Sequence, residues 1–256
     1  MTTFSANLGF LWTDRSLPDA ILAAKQHGFA AVECHWPYQT PASSVAAALD
    51  ETNLIMLGLN TSRGDVSQGE NGLSALPGRE VEARAAIDQA ITYAAAINTP
   101  NIHVMAGFAQ GAKAHQTFVN NLHYATEQAR CHDMTILIEP LNHYDAPGYF
   151  LNTSAQAKAI IKQINKDNLK LMFDCYHIQI MEGDITRRLT DLLDIIGHIQ
   201  IASVPLRQEP DGGELDYRHV LGVLAELGFH RPIGAEYRPK GRVEAGLNWM
   251  NALEHD

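Results

Sequence analysis

Short apolar runs alternate with longer amphipathic segments along the whole chain, and this alternation limits the fold more than any other feature. The runs are FSANLG (4–9), AAVECH (30–35), LIMLGLN (54–60), NIHVMA (101–106), MTILIEP (134–140), LKLMFDC (169–175), IGHIQIA (196–202) and PIGAEY (232–237). Continuous apolar runs of this length suit strands covered on both faces, as in a parallel sheet. Helix-like stretches follow them at 16–28, 42–52, 78–97, 114–133, 153–165, 185–195, 216–228 and 244–256. The first carries Pro in its opening turn and Gly after its end, the usual helix punctuation. Eight of each over 256 residues is the count, and close to the typical length, of a single (β/α)8 TIM barrel. A doubly wound sheet shares the alternation, but no GxGxxG follows the first run. No linker interrupts the pattern, so one domain is expected over 1–256.

Composition narrows the class. Hydrophobic residues make up 46% and charged residues 19%, which suits a globular protein and argues against disorder. A net charge of −10 disfavours a nucleic-acid partner, which would ask for a basic face. Cys34, Cys131 and Cys175 are widely separated with no CxxC, a reduced, cytoplasmic pattern rather than a disulfide frame. No signal peptide or membrane-length apolar run is evident. The longest irregular stretch, TSRGDVSQGENGLSALPGR (61–79), is long enough to be functional and is expected to cover an active site.

Four oxygen-bearing side chains stand at the C-terminal ends of the last four runs: Glu139, Asp174, Gln200 and Glu236. Their separations are 35, 26 and 36 residues, about one βα unit each. In a barrel these strand ends open into one mouth, so the four side chains converge. Three carboxylates brought together repel unless some are protonated or a cation joins them. Carboxylate and amide oxygens suit a hard divalent ion such as Mg²⁺ or Mn²⁺, whereas zinc prefers more nitrogen or sulfur.

The stretches ILIEPLNHYDAPGYFL, FDCYH, HIQIASVPLRQEPDGGELDY and GAEYRP resemble the hydroxypyruvate isomerase family, which includes 2-oxo-tetronate isomerases, within the xylose-isomerase-like TIM barrels. NTSRGD, GLSALPGREVEA and HVMAG add to the resemblance, which runs from about residue 4 to residue 250. It implies one divalent metal ion held by Glu139, Asp174, Gln200 and Glu236, with Glu139 and Glu236 also serving as the acid/base pair. The implied reaction is proton transfer through an enediolate in a small 3-hydroxy-2-oxo acid. Hydroxypyruvate would give tartronate semialdehyde without a redox cofactor. Gln200 replaces the histidine of the ketose 3-epimerases, and the several histidines of the zinc-cluster DNA-repair barrels are not matched. Leu206 departs from relatives that carry an acidic residue or Gly before the arginine, and is expected to alter the pocket rim.

Other residues near these motifs are candidates for touching substrate. His177, three residues after Asp174, matches a histidine that contacts a substrate oxygen in ketose epimerases. Arg207 could fork onto a substrate carboxylate or sit in a surface ion pair. Asn142 and Asp145 either orient the substrate or serve as turn residues in NHYDAPG. His35 and His103 are expected near the mouth in supporting roles. Cys175 is expected on the opposite strand face from Asp174 and hence not as a nucleophile. Partners beyond the small substrate are limited to further copies of the chain, with no membrane. Two readings stay open beside the isomerase: a ketose 3-epimerase or inosose-type dehydratase on the same barrel, which would act on neutral sugars, and a non-catalytic sugar-acid binding barrel, which would bind without proton exchange.

Overall fold

A computed structural model describes residues 2–253. Its strands are β1 (Phe4–Asn7), β2 (Ala31–Glu33), β3 (Gly58–Asn60), β4 (Asn101–His103), β5 (Thr135–Ile138), β6 (Leu169–Asp174), β7 (Ile196–Ile201) and β8 (Ile233–Ala235). All pair in parallel in the order β2-β1-β8-β7-β6-β5-β4-β3. Between β2 and β3 the ring closes by a parallel bridge, Val32 to Met56, and by the Cys34 N–H donating to the Gly58 carbonyl at 3.1 Å. The result is a near-closed (β/α)8 barrel. Its strands are almost wholly buried because helices cover the outer face and side chains fill the inner one.

The helices form where expected, with local chemistry that explains their ends. The Ser16 and Thr153 hydroxyls cap helices Leu17–Gln26 and Ser154–Ile164 by accepting the N–H groups of Asp19 and Gln156. Asn53 and Asn165 end two helices in the left-handed region, at φ 53° and 51°. The last expected helix, 244–256, is split into Val243–Gly246 and Trp249–Leu253, and its final three residues lie outside the described residues. Trp249 is fully buried, packs edge-on against Phe4 at 4.8 Å and donates its N–H to the Tyr237 hydroxyl, so this segment anchors β1 and β8.

One helix was not foreseen. Cys175–Met181 begins directly at the end of β6, with the Asp174 carboxylate as its N-cap. Cys175 therefore lies in a helix, which corrects its expected place on the far face of a strand. It remains an unsuitable nucleophile, because full burial and the neighbouring Asp174 push its thiol well up. Leu206, expected at the pocket rim, is 67% exposed and is not part of the central cavity wall.

The 61–79 segment is folded against the barrel mouth. It contains a short 3-10 turn, Val66–Gln68, and Gly72 bridges to Ala106 beyond β4. Gly72 and Gly107 adopt φ of 115° and 92°, and a Cβ on Gly107 would meet the Gly72 carbonyl oxygen at 2.1 Å. Only glycine permits two backbones in these conformations to approach so closely.

Candidate active site

The barrel mouth opens into a cavity of about 320 Å³. Its wall includes Glu139, Glu236, His177, Arg207, Asp145, His103 and His35, with Arg63 and Asn71 contributed by the 61–79 segment. A larger groove of about 590 Å³ lies beside it over Trp12, Arg15, Arg242 and Glu244, and holds none of the expected site residues.

Glu139 follows β5, Asp174 ends β6, Gln200 lies near the end of β7 and Glu236 follows β8. Asp174 and Gln200 are direct partners in the β6–β7 register, so their side chains rise side by side. All four are buried. Ligand-capable atoms of Glu139, Asp174, His177 and Glu236 lie within 4.8 Å of one another, and this buried group can hold a metal ion. Glu139 Oε1, Asp174 Oδ2 and Gln200 Oε1 are buried without a hydrogen-bond partner. Bare buried acceptors are costly unless a cation meets them, so this oxygen-rich donor set fits a hard divalent ion.

The carboxylates are not equivalent. Burial and the nearby Glu236 and Asp174 charges push Glu139 well above the usual carboxylate range. Burial, only partly offset by Arg207, raises Asp174 to about 7. Burial acts on Glu236 in the same direction, but the Arg207 guanidinium and the His35 hydrogen bond outweigh it and hold Glu236 well below its ordinary value. Glu236 Oε1 accepts from the Asn7 amide at 3.0 Å and lies 2.9 Å from His35 Nε2, while Oε2 pairs with Arg207 at 2.5 Å.

Arg207 sits among the acids. Its guanidinium also reaches Asp145 at 3.2 Å and Asp174 at 3.5 Å, from a backbone held at φ 52°. It is a buried counter-charge for three carboxylates, not a member of a surface ion pair. Asp145 lines the cavity and holds Arg207 from the other side.

His177 has a definite tautomer. Its Nδ1 accepts from the Asn142 backbone N–H at 3.0 Å and lies 2.8 Å from the Asn142 side-chain nitrogen. The Asn142 amide is oriented by its Oδ1, which accepts from the backbone N–H groups of Tyr144 and Asp145. Nδ1 therefore faces donors only and carries no proton. Burial and Arg207 keep the ring neutral, which leaves the proton on Nε2, pointing between Glu139 and Asp174 at 3.9 and 3.6 Å. In this tautomer the group at Nε2 is a donor. Asn142 itself is fully buried and off the cavity wall, where it fixes His177 and the turn. His103 comes within 3.5 Å of Glu139 and is also kept neutral by burial, its pKa lowered to about 3.

Below the mouth lies a cluster that sequence reasoning missed. Glu33, at the end of β2, accepts from the Ser5 hydroxyl at 2.7 Å and from the Gln200 amide at 2.7 Å, and lies 3.2 Å from His198 Nε2. With its NH₂ bound to Glu33, Gln200 must present its oxygen the other way. Gly234 makes room for the cluster, since a Cβ there would meet Glu33 at 2.4 Å and His198 at 2.9 Å. The only signal for Glu33 was an acid inside the apolar run AAVECH, the same signal that exposed Glu139.

Fold and mouth together define a barrel with a buried, oxygen-rich acidic centre. The xylose isomerase-like TIM barrel family matches residues 21–253. Over 254 residues the chain is 44% identical to the 2-oxo-tetronate isomerase of Cupriavidus necator, covering 98% of both chains. It is 38% identical to the hydroxypyruvate isomerase of Escherichia coli, over 98% of this chain and 99% of that one. A crystal structure described as an AP endonuclease, family 2, from Brucella melitensis superposes with a TM-score of 0.95 at 37% identity, over the full length of both chains. The chain belongs to the hydroxypyruvate isomerase and 2-oxo-tetronate isomerase family of xylose isomerase-like TIM barrels.

Proposed function

We propose that the protein isomerises a small 3-hydroxy-2-oxo acid, either hydroxypyruvate to tartronate semialdehyde or a 2-oxo-tetronate to its 3-oxo isomer. The observation that carries this reading is the pair Glu139 and Glu236, two buried carboxylates shifted in opposite directions across one cavity. Full-length relatives named for these activities support it.

In this reading Glu139, Asp174, Gln200 and Glu236 hold one divalent ion, Mg²⁺ or Mn²⁺. That ion supplies Lewis acidity to the ketone and the neighbouring hydroxyl. One glutamate removes the proton from the hydroxyl-bearing carbon and the other returns a proton to the adjacent carbon, while the hydroxyl proton moves to the former ketone oxygen; in the reverse direction they exchange roles. His177 hydrogen-bonds a substrate oxygen through its Nε2–H and keeps its proton. His35 and Asn7 hold the Glu236 carboxylate at its Oε1, and Arg207 holds it at Oε2, so its position at the cavity wall is fixed from three sides. Asp145 and Asn142 keep Arg207 and His177 aligned. One domain over 1–256 and cytoplasmic residence belong to the same proposal, the latter supported by three free cysteines.

A ¹H NMR assay of hydroxypyruvate and 2-oxo-tetronates with Mg²⁺ or Mn²⁺ tests this. Conversion of at least one, abolished by chelator, is expected. Epimerisation of neutral ketoses with no action on either acid would overturn it in favour of the epimerase reading.

A further inference from the structure

Three arginines line the cavity: Arg63, Arg207 and Arg238. Arg207 is already matched by Glu236, Asp145 and Asp174. Arg238 is exposed. Arg63 differs from both. It is half-buried in the cavity wall, at the start of the 61–79 segment. Its guanidinium carbon lies 3.8 Å from the centroid of the Trp36 ring. No carboxylate among the described residues forms an ion pair with it, whereas Arg79 of the same segment is bound by Glu70 and Glu82.

Its support is fixed at several points. The Trp36 indole N–H donates to the Thr61 carbonyl at 3.1 Å, which holds the aromatic platform. The Arg63 carbonyl accepts from the Gly72 N–H at 2.9 Å, which ties the arginine to the glycine contact with the β4 loop. A guanidinium lying on an aromatic face keeps its N–H edge free in the ring plane, and that edge matches a carboxylate bidentately. Partial desolvation already lowers the Arg63 pKa, with no opposing anion to restore it. A cation so placed gains from an anion brought by a ligand.

We propose that Arg63 binds the carboxylate of the substrate and so makes this pocket select 2-oxo acids over neutral ketoses. The proposal rests on the isomerase reading and assigns to one residue the part of the substrate that the acidic centre would repel. The 2-oxo and 3-hydroxyl oxygens face Glu139 and Glu236, while the carboxylate faces away from them toward Trp36 and Arg63. The 61–79 segment thereby becomes a wall that reads charge.

The test compares hydroxypyruvate with dihydroxyacetone, which keeps the same ketone and hydroxyl but carries a hydroxymethyl group where the acid has its carboxylate. Wild type, Arg63→Gln and Arg63→Lys are assayed with Mn²⁺, and dihydroxyacetone is also titrated as a competitor. Arg63→Gln is expected to raise KM for hydroxypyruvate roughly 10- to 100-fold, the loss of one charge-assisted contact, with the smaller part of the effect in kcat. Discrimination between acid and neutral ketone should fall at least about tenfold, with Arg63→Lys in between because it keeps the charge without the planar fork. Unchanged discrimination in both variants, with wild type active on the acid, overturns the role of Arg63 alone. Inactivity of wild type on every oxo acid overturns the isomerase reading and this assignment together.

Discussion

Glu33 shows how much of the site is decided by a residue that touches no substrate. An amide has a donor end and an acceptor end, and only the Glu33 carboxylate decides which end of Gln200 faces the mouth. Replacing Glu33 by Gln removes that compulsion, because a second amide can satisfy either orientation. Outer partners of metal ligands typically change affinity by about 10- to 100-fold. We expect Glu33→Gln to weaken Mn²⁺ binding by about that factor in calorimetry, and an unchanged affinity would show that Gln200 is oriented by packing alone. Glu139, Asp174, Gln200 and Glu236 were legible because polar residues closing apolar runs are anomalous one by one and recur at βα spacing. Glu33 closes a run too, but it falls on β2, outside the four consecutive strands that drew attention. His35 was expected near the mouth, but Asn7 gave no pattern, and neither partner of Glu236 could be read from spacing: their contacts join residues 201 and 229 positions apart. Such contacts exist only once the barrel closes.

At the scale of elements, alternation sufficed to find the eight strands, because a strand covered on both faces is apolar throughout, while the barrel order needed the count of eight and the missing GxGxxG as well. The boundaries were less legible. LIMLGLN spans seven residues but yields only Gly58–Asn60 as strand, since the run continues into backbone that bridges to β2 without a full ladder. Helix Cys175–Met181 was hidden for the opposite reason. It leaves β6 without Gly, Pro or Ser to mark the change, and its cap, Asp174, is the site residue itself. The 61–79 segment is tied to the β4 loop by several backbone hydrogen bonds, and its closest approach is Gly72 against Gly107. Gly107→Ala forces a Cβ into that crossing at φ 92°. A loss of about 1–3 kcal/mol in unfolding free energy is expected by denaturant titration. Because Arg63 hangs from the same crossing, KM for the oxo acid should rise more than kcat falls. Stability equal to wild type would mean the segment is not held there.

Over the whole molecule, the buried acids should make stability depend on pH in a way a bound cation reverses. In the metal-free protein Asp174 has its pKa raised to about 7 and Glu139 is raised well above its ordinary value. Groups raised on folding contribute stability that is full below their unfolded pKa and lost as pH rises through the folded one. His103 and His177 are lowered, so their contribution runs the other way and is complete once pH exceeds about 6.5. The two pairs oppose each other at lower pH, and only the acids act above neutrality. With chelator present, the melting temperature is therefore expected to fall as pH rises from about 6.5 to about 7.5, through the Asp174 pKa and below the range where thiols ionise. Mn²⁺ should abolish that fall, because a cation favours the deprotonated acids. A melting temperature that rises over this window in chelator would contradict the arrangement of charges.

The account stands on Glu139 and Glu236 acting on either side of one substrate. Turnover of the oxo acid that wild type isomerises, measured in Glu139→Gln and Glu236→Gln at saturating Mn²⁺, tests this most directly. Circular dichroism confirms the fold, and calorimetry on the same samples separates loss of metal from loss of the proton carrier. Both variants are expected to retain the fold and to lose at least about 10³-fold in kcat with metal bound, within the range for removing a positioned acid or base. Either variant turning over within about tenfold of wild type would contradict the central claim.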